Sequence, residues 1–143
     1  MTSAGRLGRL LWRLAAGIWL GSLVFFSLVV TQVAFRALPT AATTKFLTAI
    51  FPVYYTFEIW AGGAALLGVV WALVRGKMPR GWLVMVLTLA AWVLVLWADH
   101  VLGLMHQLSP TSAVFHRLHQ ESVTADGLVG VFLIVGVLLD SWR

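Results

Sequence analysis

The chain has 143 residues, of which 61% are hydrophobic and 10% are charged, and its mean hydropathy is +0.94. In soluble domains roughly a quarter of all residues are charged, so this composition excludes a soluble globular protein and indicates an integral membrane protein. The net charge of +5 comes from short basic clusters beside apolar runs, which argues against a nucleic-acid partner, and the lack of cysteine excludes disulfides and thiolate metal sites.

Four apolar runs follow one another along the chain, each long enough to cross a hydrocarbon core of roughly 30 Å as a helix. The first run is longer than the core of a signal peptide and lacks a convincing cleavage site, so we take it as a retained span. We predict an all-α integral membrane four-helix bundle that forms one domain, 1–143, with spans at about 14–35, 52–74, 82–103 and 115–139.

The segments before the second and fourth spans carry helix-start signals. Residues Thr40 to Ile50 mix threonine, alanine and one lysine with apolar side chains, which predicts a short interfacial helix between spans 1 and 2. Pro52 then suits the first turn of the second span, and Ser109, followed by Pro110, is a candidate N-cap for the fourth.

Lysine and arginine are distributed unevenly between the two sides of this bundle. The positive-inside rule therefore predicts that both termini are cytoplasmic, in the cell inner (plasma) membrane. With this orientation all four histidines fall on the outer side. The predicted inner side holds Arg6, Arg9, Arg13, Arg75, Lys77, Arg80 and Arg143, against Arg36, Lys45 and Arg117 on the outer side.

Small residues predict where the spans pack against other helices, and tryptophans predict where the spans meet the membrane interfaces. Two patterns of small residues, Gly17-x-x-x-Gly21 and Ala64-x-x-x-Gly68, favour close helix packing within the bundle or between subunits. We expect a homo-oligomer, with the lipid bilayer as the other partner. An aromatic belt at the two interfaces is predicted from Trp12, Trp19, Trp60, Trp71, Trp82, Trp97 and Trp142.

Glu58 is the strongest single candidate for function. An ionisable group in the body of a span is normally turned inward, paired or used, because it is costly to expose to lipid. We expect Glu58 to lie close to Asp99 or Asp126. The alternative is a structural pair with Arg36 or Lys45.

A second group of polar residues includes the string FHRLHQES, residues 115–122. His119, Ser122 and Asp126 are spaced i, i+3 and i+7, which predicts one stripe along the fourth helix. Facing the bundle, this stripe would form an outward-opening cavity suited to a divalent transition metal. Haem is a weaker alternative for the ligand of this cavity. The other alternative is a polar cap that is held by ordinary hydrogen bonds and binds no ligand. The predicted metal ligands are His119, Glu58, Asp99, Asp126 and His100.

Three stretches also carry a family resemblance: LGSLVFFSLVVTQVAFRALP (20–39), IFPVYY (50–55) and FHRLHQES (115–122). Together they resemble the bacterial four-span domain-of-unknown-function family related to eukaryotic transmembrane protein 205. The resemblance implies architecture more than activity. Its motif positions are Phe35, Arg36, Leu38, Pro39, Phe51, Pro52, Tyr54, Tyr55, Phe115, Leu118, His119 and Ser122.

The predicted function is that of a transport or resistance component with an outward-facing acidic and histidine-rich cation or metal site. Two alternatives stay open: a metal-dependent or haem-dependent membrane oxidoreductase, and a non-catalytic membrane scaffold. An enzyme is the less favoured class, because the sequence contains no recognisable arrangement of nucleophile and base and no phosphate-binding glycine loop.

Overall fold

A computed structural model of the protein describes residues 3–76, 78 and 80–142. These residues form helices joined by short connections, and they contain no β-strand. Lys77 and Arg143, two of the basic residues used to predict orientation, lie outside the described residues. The helices, in chain order, are α1 (Ser3–Phe25), a π-helical segment (Phe26–Val30), α2 (Thr31–Ala37), α3 (Thr40–Arg75), α4 (Gly81–Met105) and α5 (Ala113–Ser141).

Four helical stretches are long and apolar enough to cross a membrane. The first is the continuous stretch Ser3–Ala37, in which α1, the π-helical segment and α2 follow one another; α3, α4 and α5 are the other three. Each predicted span lies inside one of these stretches. The predictions of an all-α fold and four spans are therefore confirmed, and the chain is a multi-pass membrane protein.

The helix expected between the first two spans is not a separate element among the described residues. Residues 40–50 are helical, but they form the first part of α3, a helix of 36 residues that continues through Pro52. Residues 40–51 contain neither glycine nor proline, so the helix has no local reason to end before Pro52. At 1.5 Å per residue α3 is about 54 Å long and extends beyond a hydrocarbon core of roughly 30 Å.

The fourth span starts later than its predicted N-cap. The hydroxyl of Ser112, and not that of Ser109, caps α5 by accepting a hydrogen bond from the Phe115 amide at 3.1 Å. Ser109 instead lies in the connection before α5, where its hydroxyl is 2.9 Å from that of Thr111. Both serines precede the apolar run, so the local pattern alone did not distinguish them.

Two glycines bring α1 and α3 into backbone contact. A Cβ atom on Gly68 would lie 2.5 Å from the backbone nitrogen of Trp12, and one on Gly8 would lie 2.6 Å from the backbone nitrogen of Ala72. Such distances exclude any side chain at either position without movement of the helix backbones. At these two glycines the backbones of α1 and α3 therefore lie in direct contact.

The two predicted small-residue patterns have different environments. Gly68 is buried against α1, and Ala64, one turn before it, is half-buried. By contrast, Gly17 and Gly21 are exposed, and a Cβ atom on either would have nothing within 4 Å. Only the α3 pattern takes part in helix packing within one chain.

Two of the seven tryptophans assigned to the aromatic belt lie in the core instead. Trp12 and Trp19 are 0% exposed, whereas the other five are exposed. The indole nitrogen of Trp12 donates to the Thr88 hydroxyl at 3.1 Å, which satisfies its buried donor. The belt prediction was wrong for these two because both lie on the α1 face that packs against its neighbours.

The two ends of the chain meet at one end of the bundle. Arg9 and Arg13 each donate through Nε to one carboxylate oxygen of Asp140 at 2.5 Å, and Arg9 Nη2 also donates to the Asp140 carbonyl. The Asp140 side chain is 1% exposed. We call this the terminal end, and we call the opposite end, where α2 meets α3 and α4 connects to α5, the distal end.

Candidate functional site

Glu58 is fully buried between α3 and α1, and polar groups of α1 hold both of its carboxylate oxygens. The Trp19 indole nitrogen donates to Oε2 at 2.5 Å, and the Ser22 hydroxyl donates to Oε1 at 2.8 Å. Trp19 and Ser22 are three residues apart on a helix, so both project from one face of α1. These two bonds fix the position of the Glu58 carboxyl inside the bundle.

No basic side chain compensates the Glu58 carboxylate among the described residues. The ion pairs found in the described part of the chain involve neither Glu58 nor Asp126. Arg36 and Lys45, the predicted alternative partners, are both exposed. A buried carboxylate without a cationic partner is unusual, because burial of an unpaired charge is strongly unfavourable.

Asp126 of α5 joins the same region through a tyrosine. The Tyr55 hydroxyl donates to Asp126 Oδ2 at 3.1 Å, which links α3 to α5. Glu58 and Asp126 are close enough to interact electrostatically, and both also interact with Tyr54. The Tyr54 hydroxyl and Asp126 Oδ1 are buried and have no hydrogen-bond partner among the described residues. The buried Glu58, Tyr54 and Tyr55 and the half-buried Asp126 therefore share one region.

Aromatic rings surround these polar groups. Phe26 stacks on Tyr54 with ring centroids 4.1 Å apart, and Phe51 contacts Phe26 edge-on at 5.2 Å. Phe51 also lies parallel to Tyr55, with centroids 6.2 Å apart. We call the set of Glu58, Asp126, Tyr54, Tyr55, Phe26 and Phe51 the carboxylate–aromatic cluster.

The π-helical segment begins at a member of this cluster. Phe26 is its first residue, and the backbone N–H and the hydroxyl of Thr31 both bond to the Phe26 carbonyl. A π-helical turn inserts one extra residue into a helix and so rotates the side chains that follow it. Such turns occur often at functional sites, and this one begins at the residue whose ring stacks on Tyr54.

The other three predicted metal ligands lie outside the cluster. Asp99 is half-buried and interacts electrostatically with Tyr55. His100 and His119 are exposed, and their rings lie near Trp97 and Phe115 with centroids 6.0 and 6.4 Å apart. Within one chain, the described residues contain no group of three histidine, aspartate or glutamate side chains that could hold a metal ion.

The stripe predicted on the fourth helix is not a single face of the bundle. Ser122 is buried and bonds the His119 carbonyl at 3.0 Å, but the His119 side chain is exposed. Arg117 and Glu121 form an exposed ion pair at 3.4 Å beside them. The stripe that α5 buries is Leu118, Ser122, Ala125, Val129 and Leu133.

Sequence reasoning missed three residues that contact the carboxyls or their rings: Trp19, Ser22 and Phe26. A signal for two of them was available, because Trp12, Trp19 and Phe26 recur every seven residues from α1 to the start of the π-helical segment. That spacing returns to one helix face, so it predicts a shared buried environment better than it predicts an interfacial belt. The π-helical segment has no comparable signature in the sequence.

Comparison with known proteins places the chain in a family. Residues 14–110 match the family described as "Domain of unknown function (DUF4149)". That range covers five of the six cluster residues, Phe26, Phe51, Tyr54, Tyr55 and Glu58, and it ends before Asp126. No curated protein and no solved structure matches the chain. The match spans more than half of the sequence, and this multi-pass membrane protein belongs to the family with that domain of unknown function.

Proposed function

We propose that this protein is a small transport or resistance component in which the Glu58 and Asp126 pair binds a proton within the membrane. The observation that carries the proposal is that the fully buried Glu58 and the half-buried Asp126, one oxygen of which is buried, share a region that lacks a basic partner among the described residues. An unpaired carboxylate in such surroundings costs several kcal/mol or more, and proteins neutralise it instead. A proton needs no additional space, which suits a region filled by aromatic rings.

The groups around Glu58 supply both donors and acceptors for this role. Trp19 and Ser22 donate to its oxygens and so favour the ionised form. Tyr54 and Asp126 offer the unbonded oxygens, which can accept from a protonated carboxyl or share its proton. The titratable groups that interact with Glu58 are thus Tyr54 and Tyr55 on its own helix and Asp126 on α5; among the described contacts of Glu58, those from α1 come from Trp19 and Ser22, which do not titrate.

A route for the proton is suggested by the residues that lead away from the pair. Tyr55 bonds Asp126 and interacts with the half-buried Asp99, which lies near the distal end of α4. Carboxyl and phenol groups in sequence form the type of relay that pumps and transporters use. We propose that Asp99 is the accessible end of this relay.

The remaining predictions complete the proposal. Cytoplasmic termini would place the distal end, and with it Asp99, on the outer side of the cell inner membrane. We retain a homo-oligomer, because four spans offer little room for a pathway. A relation to transmembrane protein 205 rests on the three motifs alone. A metal site that includes His100 and His119 would need ligands beyond those that one chain brings together.

A complementation experiment tests the proposed function. A deletion strain should show sensitivity to at least one member of a panel of metal salts and cationic compounds, and the wild-type gene should restore growth. Glu58→Gln and Asp126→Asn should fail to restore growth, because an amide side chain does not take up and release a proton at the pH of the growth medium. Glu121→Gln is the matched control, since this α5 carboxylate is exposed and outside the cluster.

Two outcomes would count against the proposal. One is full complementation by Glu58→Gln at expression equal to the wild type. The other is a deletion strain that grows normally on every member of the panel, which favours the scaffold alternative.

A further inference from the structure

We infer that an open groove between α4 and α5 binds one glycerophospholipid of the distal leaflet, with the phosphate at Arg117 and an acyl chain along Leu94 and Leu128. This inference goes beyond the proposed function, because none of these residues belongs to the carboxylate–aromatic cluster. The groove has a volume of about 410 Å³, and all of its lining residues come from these two helices. Cavities of roughly 300–1,000 Å³ are typical of sites for small ligands, so the groove has room for part of a lipid.

The α5 wall of the groove changes from charged to apolar along its length. Four of its side chains recur at i, i+4, i+7 and i+11, which places them along one face of the helix. They are Arg117, Glu121, Thr124 and Leu128. At 1.5 Å per residue, the wall extends about 16 Å from Arg117 to Leu128. Arg117 is at the distal end of the bundle, and Leu128 lies deeper.

The change of polarity coincides with the boundary of the hydrocarbon core. In the part of α5 from Val123 to Leu139, Asp126 is the only charged residue. This part is about 26 Å long, which is close to the thickness of a hydrocarbon core of roughly 30 Å. Arg117 and Glu121 precede it by less than two turns. The charged end of the groove therefore lies at the depth of the lipid headgroups.

The α4 wall and the floor of the groove suit an acyl chain. Trp97 is 48% exposed and lies two residues before Asp99, a depth at which tryptophan is typical of the membrane interface. Leu94 lies one turn deeper on the same helix. Ala125 lines the groove although it is only 4% exposed, so it forms the floor. Its single methyl group leaves space above it for a chain.

Arg117 has the chemistry needed to bind the lipid phosphate. A guanidinium carries five N–H donors in a planar fork that fits phosphate oxygens. In Arg117 the Nε atom lies 3.4 Å from Glu121, and the other N–H groups donate no hydrogen bond among the described residues. An exposed ion pair of this kind contributes little, so it does not prevent the guanidinium from turning to a phosphate. Gln120, which also lines the groove, adds an amide donor.

The charge at the distal end of the groove favours a lipid over a free phosphate ion. Glu121 balances the charge of Arg117, so this end carries no net charge. A free phosphate ion is therefore attracted only weakly, whereas a lipid adds the packing of its acyl chain in the groove. Glu121 is not a ligand in this assignment, because a carboxylate repels a phosphate.

Native mass spectrometry of the delipidated protein in detergent micelles tests the inference with dioleoylphosphatidylcholine as the probe. We expect one lipid to bind at least tenfold more tightly than any further one. Dioleoylglycerol has the same chains and no phosphate, and it should bind at least tenfold more weakly. Glycerophosphocholine has the same headgroup and no chains, and it should not displace the lipid at equal concentration.

Two variants at exposed positions test the two parts of the groove. Arg117→Gln should weaken binding of dioleoylphosphatidylcholine about tenfold and leave that of dioleoylglycerol unchanged, because only the phosphate contact is lost. Thr124→Phe should weaken binding of both lipids about tenfold, because the added ring fills the groove.

Each variant has a matched control. For Arg117→Gln the control is Arg36→Gln, because Arg36 is an exposed arginine at the same end of the bundle but on α2. For Thr124→Phe it is Val123→Phe, because Val123 is the neighbouring residue, is 57% exposed and is not one of the residues that line the groove. Both controls should bind the phospholipid as the wild type does.

Four results would overturn the inference: the absence of a tightly bound lipid, equal binding of the phospholipid and dioleoylglycerol, displacement by glycerophosphocholine, and wild-type binding by both Arg117→Gln and Thr124→Phe. If one of these two variants does not fold, the other decides. None of these measurements involves Glu58 or Asp126, so failure of the lipid site leaves the proposed proton site standing, and the reverse also holds.

Discussion

Replacement of Gly68 by alanine is expected to lower the free energy of unfolding by about 2 to 3 kcal/mol, the upper range for an overpacked core. The added Cβ atom would lie 2.5 Å from the backbone nitrogen of Trp12 and 2.9 Å from the Cα atom of the same residue. Backbone atoms cannot rotate away as a side chain can, so α1 and α3 must separate. Separation would also disturb the Trp19 and Glu58 bond, since the same two helices supply its partners. Unfolding by sodium dodecyl sulfate in mixed micelles measures the change.

Gly17→Ala is the matched control for this substitution. Gly17 lies in the interior of α1, and a Cβ atom there has nothing within 4 Å. Alanine is a better helix former than glycine by roughly 0.5–1 kcal/mol, so stability should be unchanged or slightly higher. Equal stability of the Gly68→Ala variant and the wild type would contradict the close packing of α1 against α3.

Asp140→Ala should destabilise the protein by about 3 kcal/mol. The side chain is 1% exposed and receives bonds from Arg9 and Arg13 at 2.5 Å, so its loss removes two charge-assisted hydrogen bonds. Of the bonds described between α1 and the end of α5, only the one from Arg9 Nη2 to the backbone carbonyl of residue 140 would remain. Arg9 is only 23% exposed and would retain a partly buried charge without its partner. Thermal unfolding in detergent, followed by circular dichroism, gives the difference.

The exposed ion pair on the same helix provides the comparison for Asp140→Ala. Arg117 and Glu121 are 73% and 42% exposed, and their charged atoms are 3.4 Å apart. Pairs of this kind contribute about 0 to 1 kcal/mol, so Glu121→Ala should change stability little. Similar losses of stability in Asp140→Ala and Glu121→Ala would show that burial does not make the Asp140 ion pairs stronger than the exposed pair.

The span architecture was predictable because it depends on length and composition, which the sequence states directly. Four apolar runs became four long helices, and errors were confined to ends and connections. The predicted interfacial helix is part of α3, since nothing between Thr40 and Ile50 stops a helix. Ser112 caps α5 because helix ends depend on the path of the chain as well as on local residue type.

The candidate site was less predictable, because it depends on which helix faces meet. Glu58 was identifiable because an ionisable group is costly to place inside a membrane span, and Asp126 was identifiable from its position on α5. Trp19 and Ser22, the partners of Glu58, come from another helix, and no spacing in the sequence relates residues so far apart. His119 shows the opposite error: its spacing matched that of Ser122, yet its side chain is exposed because the buried stripe of α5 passes through Leu118.

Infrared difference spectroscopy of the purified protein in lipid tests the central claim most directly, because a protonated carboxyl has its own carbonyl band. The account predicts such a band within the pH range in which the protein stays folded. It should shift on labelling of glutamate with carbon-13, disappear in Glu58→Gln and persist in Glu121→Gln. A spectrum without a protonated carboxyl band at any pH, or a band unaffected by both Glu58→Gln and Asp126→Asn, would contradict it.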